Sequence, residues 1–205
     1  PLGLQQSGSN NTLTSAVEGD FNNVAAAQRG SAEAEISVRG NSNDVSFDQS
    51  AGSRLGLDIG GLQPSSGNRV RIERLGGNSE AEIAVDGASN RLEMTLTGSS
   101  SDSVIDQRGS NNALSLRGFG SNLTINAEQS GSSQTATLIA DAQSSELALL
   151  QIGSGNRADL IQQSGFNLDG TINQNGGGNL AYVLQRSGSS SSAVLDQQGN
   201  GNNGR

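Results

Sequence analysis

Cysteine and histidine are both absent from the 205 residues. Their absence excludes a disulfide framework, a thiolate zinc site, a cysteine nucleophile and any histidine-based triad. Tryptophan is also missing, aromatics make up 2% of the chain, and the formal net charge is −8. Nucleic-acid binding needs a basic track and usually stacking rings, so no nucleic-acid partner is expected. No apolar run approaches the roughly 18 residues of a membrane span, and no membrane insertion is expected either. No signal peptide is visible. Pro1-Leu2-Gly3 has the look of a tag-cleavage remnant, so residues 1–3 are read as a tag remnant and any export signal as removed with the native N-terminus. Hydrophobic residues are scarce too, at 32%. A chain so poor in apolar surface stays ordered only if its fold repeats one small solution many times.

What is abundant is glycine, 29 residues of it, and it recurs. Gly8, Gly19, Gly30, Gly40 and Gly52 fall at steps of 10 to 12, and Gly76, Gly87, Gly98 and Gly109 at steps of 11. Gly153, Gly165, Gly176, Gly188 and Gly199 continue the series. Between glycines runs one template: Asn or Ser, two apolar residues at alternate positions, then Gln or an aliphatic. Asn43-Val45-Phe47-Gln49, Ser145-Leu147-Leu149-Gln151 and Asn179-Ala181-Val183-Gln185 are examples. Period-two alternation is a strand signal, and Gly, Ser and Asn between the strands supply turns and positive φ.

Leading Ser and Asn tend to alternate, so the unit is two strands. Asn68, Asn90 and Asn112 are 22 apart, and Asn156, Asn179 and Asn202 are 23 apart. The expected fold is all-β: a β-solenoid of about nine strand-turn-strand coils, 22–23 residues per coil, with two facing parallel sheets. At about 4.8 Å per coil the rod is on the order of 40–45 Å long. Residues 4–203 form one domain. Val45, Phe47, Ile83, Val85, Leu92, Met94, Leu147, Leu149, Leu160, Val183 and Leu195 are expected to point inward. A loop insertion is expected near 60–67, where "GGLQPSSG" carries four residues too many, and a register disturbance near 117–134, where the glycine steps become irregular.

A large amide at the end of a strand, on the apolar side, needs partners, because a buried unpaired amide costs roughly 1–3 kcal/mol. Stacking supplies them: Gln151, Gln174 and Gln197 should form one column, and Gln162 and Gln185 the opposite one, each amide bonding the coil above and below. The candidate amide-ladder and self-assembly residues are these five with Gln28, Gln49, Gln107, Asn156, Asn179 and Asn202. From Ala81 to Leu116 the last inward position is mostly aliphatic, while Glu80, Glu82, Asp86, Arg91, Glu93 and Arg108 line the outside. Asp48, Asp58, Asp106 and Asp196 occupy outward places and are read as solubility. "GNGNNG" at Gly199–Gly204 matches a dinucleotide fingerprint but lacks the helix that must follow. No catalytic, cofactor-binding or metal residues are expected, and no enzyme activity.

The repeat Ser-x5-Gln-x-Gly-x-Gly-Asn-x-Ala-x3-Gln resembles the curlin repeat of bacterial curli amyloid subunits. "SELALLQIGSGNRADLIQ" matches at Ser145, Gln151, Gly153, Gly155, Asn156, Ala158 and Gln162, and "NLAYVLQ" at Asn179, Ala181 and Gln185. The resemblance implies a secreted, extracellular subunit that stacks end to end with itself into cross-β fibres of a biofilm matrix, exported through an outer-membrane pore. A nucleator or surface-anchor protein is a further partner it brings into view. The chain is more charged and poorer in aromatics than a major subunit, which leaves a minor, nucleating or anchoring role as the alternative.

Overall fold

The computed structural model describes residues 1–7, 10, 12–29, 32–50, 53–60, 65–75, 79–97, 100–119 and 122–205. Nineteen strands, and no helix among the described residues, are joined in one parallel sheet that winds on itself. One face of the rod is built from β1 (Leu2–Ser7), β3 (Asn23–Arg29), β5 (Asp44–Ser50), β9 (Arg69–Leu75), β11 (Arg91–Thr97) and β13 (Ala113–Gly118). It continues through the first parts of β15 (Thr135–Ser154) and β16 (Arg157–Gly177), then β17 (Leu180–Arg186) and β19 (Asn203–Gly204). The other face holds β2 (Thr12–Glu18), β4 (Ala32–Asn41), β6 (Ser53–Leu55), β7 (Asp58–Ile59), β8 (Ser65–Ser66), β10 (Ser79–Ala88), β12 (Asp102–Ser110) and β14 (Thr124–Ser132). The later parts of β15 and β16, and β18 (Ser189–Asn200), complete it.

Residues at equal places in successive coils lie side by side. On the first face Leu2, Val24, Val45, Val70, Leu92, Leu114, Ala136, Ala158, Ala181 and Gly204 form one column. On the second, Leu13, Ala34, Leu55, Ala81, Ser103, Ile125, Leu147, Gly170 and Ala193 do the same. This is the expected β-solenoid, with about eight turns.

The alternation decides the core. Inward aliphatics of both faces meet along the axis, and Val45, Phe47, Ile83, Val85, Leu92, Met94, Leu147, Leu149, Leu160 and Val183 are all buried there. Leu195, in the last complete strand, is half-buried and packs against them. Burial of each such side chain contributes about 1.5–3 kcal/mol.

Two irregularities were expected. Between Ile59 and Ser66 the chain uses seven steps where Val85 to Ala88 uses three, so it is four residues longer there, and pairing with β10 resumes unshifted. Pro64 and the others at the centre of this insertion lie outside the described residues. The disturbance expected near 117–134 does not show in the pairing. Gly118 sits beside Ala140, and Thr124 through Ser132 sit beside Asp102 through Ser110, both 22 residues apart. Gly118 is a buried strand residue of β13 and Gly131 stands in the corner, so the uneven glycine spacing is no register shift, and register is held by Ile125, Ala127 and Gln129, all buried.

The corner leading from the second face to the first has a fixed form. Gly87, Gly109, Gly131, Gly153 and Gly176 stack with φ between 110° and 128°. A Cβ added to Gly109 would run into the carbonyl oxygen of Gly131. Two residues on, Ser89, Asn111, Ser133, Gly155 and Gly178 are left-handed, and an amide residue follows each.

Candidate self-assembly site: stacked amide ladders

Five glutamines close the strands of the second face. Gln107 Nε2 donates to Gln129 Oε1 at 2.7 Å, Gln129 to Gln151, Gln151 to Gln174 and Gln174 to Gln197, each at 2.8 Å. Every Nε2 also donates across the core to the opposite face: to the carbonyls of Arg91, Ala113, Thr135, Arg157 and Leu180 in turn. Each amide therefore ties coil to coil and sheet to sheet. On the first face Gln162 Nε2 donates to Gln185 Oε1 at 2.9 Å and to the Glu146 carbonyl. All seven glutamines are buried. Gln151, Gln174 and Gln197 stand in one column and Gln162 and Gln185 in the other, and the first column also takes in Gln107 and Gln129.

The ladders are polar. Within each, nitrogen points toward the C-terminal coil and oxygen toward the N-terminal one. Gln107 Oε1 and Gln162 Oε1 are consequently buried without a partner among the described residues. Their neighbours in the preceding coil are Val85 and Ala140, which have no donor to offer. At the other end, Gln197 Nε2 makes its cross-core bond to Leu180 and points its remaining hydrogen beyond the last strand.

A second ladder runs along the corner. The backbone N–H of Asn43 donates to Asn22 Oδ1, that of Asn68 to Asn43, Asn90 to Asn68 and Asn112 to Asn90, at 2.8–3.1 Å. Asn179 bonds Asn156, and Asn202 bonds Asn179, in the same way. Each asparagine Nδ2 from Asn22 to Asn179 faces the carbonyl of a corner residue in the next coil, as Asn90 does with Gly109 and Asn156 with Gly176, while that of Asn202 bonds the Gln198 carbonyl of its own coil. Asparagine reaches these atoms because its amide is carried directly on Cβ, one methylene from the backbone, matched to the left-handed residue before it.

The ladder is interrupted once. Gln134 takes the place of asparagine between Asn112 and Asn156, and its Nε2 still reaches the Ser130 and Gly153 carbonyls. Its longer side chain leaves Oε1 buried and unpartnered.

Gln107, Gln151, Gln162, Gln174, Gln185, Gln197, Asn156, Asn179 and Asn202 are thus brought into ladders. Gln28 and Gln49 are in register with one another and with Gln6 in the first three coils, while their side chains lie outside the described residues. Gln129 and the Asn22–Asn112 part of the corner ladder were not singled out. The asparagines had a signal in their 22-residue spacing. Gln129 was masked by the irregular glycines beside it.

Residues 165–199 match the family described as the curlin associated repeat. Over that span the chain is similar to curlin repeats. The matched span contains Gln174, Gln185, Gln197 and Asn179, so the curlin motif coincides with the C-terminal members of the three ladders. No curated protein matches the chain's sequence. The curlin signature is, physically, the set of residues whose amides bond from coil to coil. Of its glycines, Gly153 and Gly176 stand where a side chain would strike the next turn, while Gly155 takes the left-handed place two residues on, with room around it.

Proposed function

We propose that the chain is a structural subunit of an extracellular, curli-like cross-β fibre. Copies would add end to end, each terminal coil serving as template for the next. The observation that carries this reading is the translational identity of the coils. The parallel backbone pairing that joins coil to coil inside the chain is the pairing a second copy would make; at the place of Gln185 the first coil carries Gln6, and at the place of Gln197 it carries Val17. At the C-terminal coil Gln197 Nε2 keeps a donor, and Ala193 and Leu195 are half-buried where their counterparts Gly170 and Ile172 are buried. A parallel edge of this kind templates further strands. In this reading the protein acts in biofilm matrix and surface adhesion, is secreted through an outer-membrane pore, and meets a nucleator or anchor protein. Catalysis has no part in it.

A minor, nucleating or anchoring subunit is the second reading, favoured by the aliphatic column Val38, Ile59 and Val85, which replaces glutamine in the earlier coils. Incubation of the purified protein followed by electron microscopy and fibre diffraction separates the two. Fibres with a meridional reflection at about 4.7–4.8 Å support the first. A protein that stays monomeric at high concentration, yet shortens the lag of another curlin subunit, supports the second.

A further inference from the structure

The two faces of the rod differ in charge. Strands of the first face carry eight arginines and six carboxylates. Strands of the second carry three arginines and thirteen carboxylates. The contrast is sharpest in the central coils. Arg69, Arg71 and Arg91 are exposed on one side, and Glu80, Glu82 and Asp102 on the other.

Parallel stacking also forces like charges together. Asp102 lies in register with Glu80, Glu128 with Asp106, and Asp169 with Glu146, on the second face. Arg69 lies beside Arg91 on the first. Such pairs, one strand spacing apart, are destabilising unless something neutralises them. Internal ion pairs do so only in part: Arg54 reaches Glu80 and Arg108 reaches Asp106, while Glu82 and Asp102 have no ion pair among the described residues. At Asp58, on the same face, burial pushes the carboxyl above its ordinary range; Arg39 pulls against it, and the nearby Asp86 charge adds a smaller push.

We propose that the basic first face of one copy docks on the acidic second face of another, so that rods associate side by side. Three features fit a second copy as the occupant. The surfaces are opposite in sign. Both are β-sheet faces of one chain, suited to face-to-face packing about 10 Å apart. The like-charged pairs also share one spacing of about 4.8 Å, so the Arg69–Arg91 pair can meet the Glu80–Asp102 pair residue for residue. Because the two patches differ, the contact does not close on itself and each docked copy leaves one face of each kind free. Lateral docking goes beyond end-to-end growth and does not depend on it.

A charge swap tests it. One variant carries Arg69→Glu, Arg71→Glu and Arg91→Glu; the other carries Glu80→Arg, Glu82→Arg and Asp102→Arg. Small-angle scattering reads rod thickness separately from rod length, so lateral docking and end stacking are distinguished. In wild type, thickness should grow by one rod diameter or more at about 20 mM salt and revert at about 0.5 M, where charges are screened within a few ångströms. Each variant alone should associate laterally at least tenfold more weakly, and an equimolar mixture should restore association. If a swapped variant loses its strand circular dichroism, Arg69→Gln with Arg91→Gln should weaken association in the same direction. Overturning results are a wild type that keeps single-rod thickness at low salt, variants that thicken as wild type does, or a mixture that fails to recover. Thickening abolished by a chelator and restored by calcium would also overturn it, since divalent ions would then be bridging two acidic faces.

Discussion

Gln134 shows how finely the corner tolerates length. It supplies the two donor contacts of an asparagine but strands its own oxygen, and Asn156 N–H gains no side-chain acceptor among the described residues. Shortening it by one methylene, Gln134→Asn, should complete the ladder from Asn112 to Asn156. A repaired buried hydrogen bond is worth about 1 kcal/mol, more where it relieves an orphaned atom, so the urea midpoint should rise at unchanged m-value. Gly109 behaves oppositely. Gly109→Ala meets both a positive φ and the Gly131 carbonyl, and should cost on the order of 3 kcal/mol or more, read from the same denaturation curves. The sequence displays the period of these residues but not the geometry behind it. That Gly109 abuts a carbonyl and Gln134 fails to reach an N–H depends on atoms in the neighbouring coil.

Among the elements, the glutamine ladder behaves as a chain whose interior links matter more than its ends. Gln129→Leu deletes two ladder bonds, to Gln107 and Gln151, and strands Gln151 Oε1 as well. Gln107→Leu deletes one bond and merely transfers the orphaned oxygen from Gln107 to Gln129. The column accepts aliphatics sterically, since Ile59 and Val85 occupy it in earlier coils. The interior change should therefore cost about 2–3 kcal/mol and the terminal one about 1 kcal/mol, a ranking that thermal or urea unfolding can read. A terminal loss equal to the interior one would mean the amides do not act as a ladder. Strand type, coil length and the Gln151–Gln174–Gln197 column were legible because residues of like chemistry recur every 22–23 positions. Gln129 was not, because the glycines around it are unevenly spaced in the sequence. Gly118 lies inside β13 and not at a corner, while the inward residues Ile125, Ala127 and Gln129 keep the 22-residue step.

For the whole molecule the question is which atoms a growing end presents. The C-terminal coil offers Gln197 Nε2, the corner amide of Asn202, and Gln185, whose Nε2 already serves the Asp169 and Ser191 carbonyls. Gln185 and Gln197 remain the two glutamines nearest an incoming coil, each holding the end of a ladder. Replacing both by alanine removes the amides an added coil would meet and strands Gln162 and Gln174 one turn further in. Losing the Gln162–Gln185 and Gln174–Gln197 bonds, worth about 1 kcal/mol each, loosens the terminal coil on which an added copy must pair, and should slow seeded elongation roughly tenfold or more. Asp106→Asn with Asp196→Asn is the control. Both carboxylates lie on outward strand positions, and the Asp106–Arg108 pair involves a largely exposed guanidinium, so its loss should change the rate little. Seeded growth of both double variants on wild-type fibre ends separates the outcomes. If the glutamine pair elongates at the wild-type rate, growth does not pass through the C-terminal coil. The first coil then carries it, with Leu2 and Leu4 exposed on β1 and Leu13 and Val17 half-covered on β2.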